Sequence, residues 1–155
     1  MERGGLIMIT IERAVLEDAK RITEIKTVAF NQEINKYLGR NGGPCGYDKV
    51  ESEMEIIHRF LAYKIMLRSE IIGAFFLILT GEKAIRLEDF VIHPVYQGKG
   101  YGFRTLQLME EAYPDIEEWS LSTPVFSVGN QHLYEKFGYR EIARNEEEIE
   151  YCKRI

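Results

Sequence analysis

Residues 97–103 read QGKGYGF, with glycine at 98, 100 and 102 and a lysine at 99. A hydrophobic, strand-like run (DFVIHP) precedes them, and a helix-like run (RTLQLMEEA) follows. Glycine has no Cβ, so the chain can turn sharply here and its amide N–H groups can approach an anion without obstruction. A helix that begins in such a loop aims its free N–H groups and partial positive charge at the same point. Lys99 adds a full charge. Together these residues suit a di- or triphosphate-like group such as a pyrophosphate. Two common phosphate loops do not fit. Gly-x-x-x-x-Gly-Lys-Ser/Thr fails because Lys99 precedes Gly100 and no Ser/Thr follows it. Gly-x-Gly-x-x-Gly fails because Phe103 stands where the third glycine belongs, and the strand beyond the helix lacks the usual ribose-binding acid.

Other reactive side chains are scattered. His58 and His132 have no partner at metal-ligand spacing, and His93 precedes a proline, where a structural role is the expectation. Cys45 lies in a glycine-rich stretch with no basic neighbour adjacent in sequence to activate its thiol. Cys45 and Cys152 are too few for a disulfide scaffold. No metal site is expected.

The elements that must carry the loop follow from periodicity. Alternating isoleucines predict a strand at about 7–13, and Ala19, Ile22, Ile25 and Ala29 predict a helix over 17–30. A glycine-rich loop then leads to a short helix at 48–60. Residues 62–79 read as two strands around a tight turn at Ser69 and Glu70, and 84–93 as a fourth strand. A helix over 100–113, a strand at 117–123, a helix over 130–137 closed by Gly138, and strands at 138–145 and 149–155 complete the chain. The order β-α-α-β-β-β-α-β-α-β-β describes a mixed α/β fold with helices on both faces of a central sheet.

With 155 residues the chain suits a single domain, 1–155. Apolar residues make up 45% and charged residues 29%, values of an ordinary globular protein. The net charge of −5 argues against a nucleic-acid partner, which needs a basic face. No apolar run reaches the roughly 18–20 residues of a membrane span. Residues 1–14 hold no signal-peptide h-region, so a reduced, cytoplasmic protein is expected. Residues 1–6 are expected to be a frayed leader, with Met8 an alternative start.

Gln97-x-x-Gly100-x-Gly102 follows a strand ending in His93 and Pro94, and LYEKFGY (residues 133–139) lies further along. Both segments, in this order and at this separation, resemble the signatures of the GNAT superfamily of acyl-CoA N-acyltransferases. The element order is also that family's order, so the resemblance covers nearly the whole chain. It implies a mostly antiparallel sheet of the seven strands above, with a splayed strand pair holding coenzyme A. It implies acetyl-CoA as co-substrate and a small-molecule or peptide amine as acceptor. It leaves a homodimer open.

The resemblance also implies roles. Backbone groups from Gly98 through Lys99, Gly100, Tyr101, Gly102 and Phe103 would hold the pyrophosphate, with Gln97 beside them. Phe90, Val91 and Ile92 would pair with the pantetheine arm, and the N–H of Val91 is the expected donor to the thioester oxygen. Tyr134 occupies the position where the family commonly keeps a tyrosine that protonates the departing thiolate. Glu88, twelve residues before Gly100, has the spacing of the glutamate base in some members. Strand alternation sends its neighbour Asp89 to the opposite face, unless a bulge intervenes. Where many members have a cofactor-binding asparagine, this chain has Ser127; Asn130 is the other polar candidate. The segment between the first two helices would wall the acceptor. Its glycines suggest a mobile lid lined by Tyr37 and Tyr47, and Glu33, Asp48, Glu51 and Glu55 would attract a cationic amine. Arg144 to Glu150 is read as a solvated turn and strand edge. The alternative to an enzyme is a non-catalytic domain that senses acyl-CoA.

Overall fold

The computed structural model describes residues 8–155. The expected leader, and the first residue of the expected first strand, lie outside them. The element order is that expected: β1 (Ile9–Arg13), α1 (Ala19–Leu38), α2 (Val50–Arg59), β2 (Leu61–Leu67), β3 (Glu70–Gly81), β4 (Ala84–Ile92), α3 (Tyr101–Ala112), β5 (Glu118–Pro124), α4 (Val128–Phe137), β6 (Arg140–Arg144) and β7 (Glu148–Arg154). The sheet has seven strands in the order β1-β2-β3-β4-β5-β7-β6.

β3 is the most apolar strand, with residues 72–77 all buried, because helices cover both of its faces. Ile72, Phe75 and Leu77 join Ile85, Leu87, Leu106, Met109, Trp119 and Tyr134 in the main core, on the side of α3 and α4. Ala74 and Phe76 join Ile22 and Ala62 on the side of α1 and α2, and Val91 packs with Ile25 and Ala29 there.

α1 runs eight residues beyond its expected end at residue 30. Its last two turns carry no continuous apolar stripe. They persist because Gly39, at φ +69°, closes the helix and donates its N–H to Asn35 O at 2.9 Å. The following loop is pinned to the helix: Tyr47 Oη (2.5 Å) and the Gly42 N–H (3.1 Å) both donate to Asn31 Oδ1. Phe30 meets the Tyr47 ring edge-on at 6.0 Å. The Tyr47 ring, expected to line the acceptor site, is instead spent in holding the loop against α1.

Two features shape the site. β4 pairs with β5 in parallel over only three positions, Ala84↔Glu118, Ile85↔Trp119 and Arg86↔Ser120. Beyond Arg86 the two strands part, as the family resemblance implies. β4 is also bulged: Phe76 faces Glu88 while Ala74 faces Val91, so β4 spends three steps where β3 spends two. Asp89 takes up the extra residue at φ +50°, a conformation seldom adopted by side chains other than Asn, Asp or Gly.

Candidate active site

A cavity of about 820 Å³ opens where β4 and β5 separate. Glu88, Asp89 and Phe90 of β4 line one side, residues 122–127 another, and Asn130 and Tyr134 of α4 the floor. Glu33, Ile34 and Leu38 of the extended α1 and residues 146–148 of the β6–β7 turn close the rim. Two of these groups escaped the sequence reading. Residues 146–148 are exposed, as a charge run should be, yet the turn delivers them to the cavity mouth. Arg86 carried no motif.

Arg86 sits at the apex of the splay and ties its two sides together. Its Nε donates to Glu88 Oε1 at 2.6 Å, its Nη1 to Glu150 Oε2 at 2.6 Å, and its Nη2 to Ser122 Oγ at 2.9 Å. Burial works against its charge, but the two carboxylates outweigh that and hold the guanidinium above its ordinary range. Glu88 is thus oriented through Oε1, and among the described residues its Oε2 has no recorded partner.

The bulge is the exception that the sequence left open for Asp89, and it reverses the alternation there. Ile85 and Leu87 point to the α3 side, whereas Val91 points to α1 and Phe90 to the α3 side. The phase inverts between Glu88 and Phe90, so Glu88 and Asp89 both face the α1 side. Asp89 is also engaged: Lys26 Nζ donates to its Oδ2 at 3.0 Å. The expected donor at Val91 is corrected by the same strand. His93 donates its N–H to Ile72 O at 2.8 Å, so alternation directs the Val91 N–H to β3 as well. A Cβ on Gly73 would strike the Val91 carbonyl oxygen, which places that group against β3 too. The N–H groups of Phe90 and Ile92 therefore face the open side.

The glycine loop has the geometry its composition required. Gly98 and Gly100 adopt φ +75° and +85°, and the space beside each is open. Among the described residues, no N–H from 98 to 103 donates to a backbone carbonyl, while Arg104 resumes the pattern with a bond to Gly100 O at 3.1 Å. Six donors at the start of a helix suit an anion, and this row is what a pyrophosphate would need. Gly102 serves packing instead: a Cβ there would lie 3.1 Å from Leu133 Cδ2 on α4. Gln97 donates from Nε2 to Ile92 O at 2.8 Å, bracing the loop against β4.

Tyr134 is buried, 5% exposed, between Tyr139 and Tyr151. Among the described residues its hydroxyl has no recorded hydrogen-bond partner, although its residue lines the cavity. Burial pushes the phenol well above its ordinary value, so it keeps its proton. Ser127 Oγ donates to Glu33 Oε1 at 3.2 Å, and Asn130 Nδ2 lies 3.4 Å from Thr123 Oγ1. Tyr37 packs against Phe126 with the rings tilted by 37° and their centroids 5.1 Å apart, behind the cavity wall. Of the acids expected to draw an amine, Glu33 alone reaches the cavity, and Asp48, Glu51 and Glu55 do not.

Residues 57–141, more than half of the chain, match the family model of the acetyltransferase (GNAT) domain. No curated protein matches the sequence. Several solved structures share the fold. A PaiA N-acetyltransferase from Thermoplasma acidophilum, in complex with coenzyme A, is 19% identical with a TM-score of 0.82, covering 96% of this chain and 100% of its own. A ribosomal-protein alanine N-acetyltransferase from Escherichia coli is 15% identical with a TM-score of 0.72, covering 96% and 94%. A spermidine N-acetyltransferase chimera from Vibrio cholerae and hSSAT is 18% identical with a TM-score of 0.70, covering 94% and 95%.

Proposed function

Because the chain belongs to the GNAT acetyltransferase family, we propose that it moves an acetyl group from acetyl-CoA to the primary amine of a small cationic molecule or a peptide. The observation that carries the acceptor class is the lining of the cavity. Among the described residues that line it, Glu33, Glu88, Glu146, Glu147 and Glu148 face two cations, Arg40 and Arg86, while the sixth acid, Asp89, is taken by Lys26. Such a mouth concentrates positively charged amines and disfavours anionic ones.

In this reading the N–H groups from residue 98 to 103 hold the pyrophosphate, and Phe90 and Ile92 pair with the pantetheine arm. The Phe90 N–H donates to the thioester oxygen, where negative charge grows as the amine attacks. Glu88, held through Oε1, accepts the proton of the ammonium on Oε2, directly or through water. The Tyr134 hydroxyl, unclaimed by other side chains among the described residues, donates to the departing sulfur. Binding both reactants in one cleft supplies much of the acceleration, and no covalent enzyme intermediate is needed. Ser127 and Asn130 lie beside this path and orient it through Glu33 and Thr123. Among the described residues no helix is long and apolar enough to cross a membrane.

Thiol release from acetyl-CoA tests the proposal over a panel of acceptors: spermidine, lysine, a peptide with N-terminal alanine, a neutral amine and an amino sugar phosphate. Cationic acceptors should turn over fastest and lose rate as salt rises. Equal rates on neutral and cationic amines would remove the charge argument. Turnover on none, with acetyl-CoA bound, would favour a sensing domain.

A further inference from the structure

Behind the cavity lies an ion cluster that the chemistry above does not use. Lys26 of α1 is 2% exposed. Its Nζ lies 2.6 Å from Glu53 Oε1 of α2 and 3.0 Å from Asp89 Oδ2 of β4. The ammonium also sits 5.6 Å over the ring of Phe76, the β3 residue opposite Glu88. One buried cation therefore reaches three elements and both strands of the bulge, Asp89 on β4 and Phe76 on β3. A charge taken out of water is costly unless it is fully partnered, so the cluster is a poor way to gain stability alone. Burial pushes the Glu53 carboxyl up, and only the Lys26 ammonium draws it back.

The carboxylate that Lys26 grips belongs to the residue with the unusual backbone. Asp89 and Arg68 are the two non-glycine residues at positive φ among those described, and Arg68 lies in the β2–β3 turn. Asp89 has no turn to account for it. Its φ of +50° inserts the extra residue that inverts the phase of β4 and turns the Phe90 N–H outward.

We propose that Lys26 and Glu53 are positioning residues that hold Asp89 in its left-handed conformation, so that the Phe90 N–H and the Glu88 carboxylate both face the acetyl-transfer cleft. Asp89 is then a backbone clamp and not the proton acceptor. The inference rests on the Phe90 N–H acting as the thioester donor.

Two substitutions separate conformation from charge. Asp89→Ala and Asp89→Gly both delete the carboxylate, but only alanine resists φ +50°. With the fastest acceptor of the panel, kcat should be at least tenfold higher for Asp89→Gly than for Asp89→Ala. KM for acetyl-CoA should differ less than threefold between them, and both should keep the wild-type shape of the pH profile. Lys26→Met should resemble Asp89→Ala, and Lys26→Arg should recover most of the rate. If Lys26→Met does not fold, the Asp89 pair still decides. Equal kcat for alanine and glycine, or a lost acid limb in both, overturns the clamp; the second result makes Asp89 the proton acceptor.

A readout without an acceptor keeps the two readings apart. On titration with acetyl-CoA, the 1H–15N signals of Phe90 and Ile92 should shift in the wild type and in Asp89→Gly, and much less in Asp89→Ala. The same response in both variants rejects the clamp. Wild-type signals that do not respond reject the donor reading itself.

Discussion

Replacing Tyr134 by phenylalanine isolates one hydroxyl. Among the described residues that hydroxyl has no recorded protein partner, so its removal strands no donor or acceptor. The ring stays between Tyr139 and Tyr151, 5% exposed, and keeps its contacts. The fold should therefore change little, with Tm within about 2 °C of wild type. The rate should not. A positioned general acid contributes about 10²–10⁴-fold. The cavity of about 820 Å³ is open to water, which can hydrate the departing thiolate, so the lower end applies. A loss of about 10²-fold corresponds to about 2.7 kcal/mol at about 1.36 kcal/mol per decade. The loss belongs to kcat, because the ground-state thioester gains little from the phenol. The assay is thiol release at saturating acetyl-CoA, with calorimetry on coenzyme A to show that binding is kept. A variant that folds, binds coenzyme A and turns over within threefold of wild type would refute the acid role of Tyr134.

The remaining predictions address the base, the loop and the strand end. Glu88→Gln keeps an acceptor for Arg86 Nε, now 2.6 Å from Glu88 Oε1, so stability should move by less than about 1 kcal/mol. Its rate at neutral pH should fall at least tenfold and its acid limb should flatten; an unaltered pH–rate profile would move the proton to another route. Gly100→Ala has room for its Cβ but not the φ of +85°, which should cost about 1–2 kcal/mol and lower Tm by about 2–8 °C. Calorimetry should also show at least tenfold weaker coenzyme A binding, and an unchanged Kd would shift the pyrophosphate away from this loop. Burial, and secondarily Arg21, lower the His93 pKa, and its Nδ1 accepts the Val95 N–H at 3.2 Å. The stabilisation from neutral His93 is present above the unfolded value of about 6.5 and is lost as pH falls from there through the lowered value of the folded state. His93→Asn keeps an acceptor without a titration, so Tm should drop less between pH 7.5 and 5.5 than in wild type; equal drops would exclude His93 as a source.

Much of this architecture was legible from one-dimensional pattern, because period and punctuation are local. The apolar run of β3 announces a strand covered on both faces, and Gly138, at φ +114°, closes α4 where it was expected. Gly98 and Gly100 sit at the positive φ their composition suggested. Tyr134 is placed on the cavity because α4 and its register follow from the same short-range signals. What could not be read depends on neighbours distant in sequence. The bulge at Asp89 arises from the pairing of β4 with β3, and it reverses an alternation that is otherwise sound. Lys26, Glu53 and Asp89 carry no common spacing, since a buried ion cluster is chosen by the crossing of three elements. Glu146 to Glu148 look like any solvated charge run until the sheet order β5-β7-β6 swings their turn over the cleft. Local steric preference wrote the loop and the helices into the chain; the direction of the Phe90 N–H, and which acids meet an incoming amine, were settled only when the strands chose their partners.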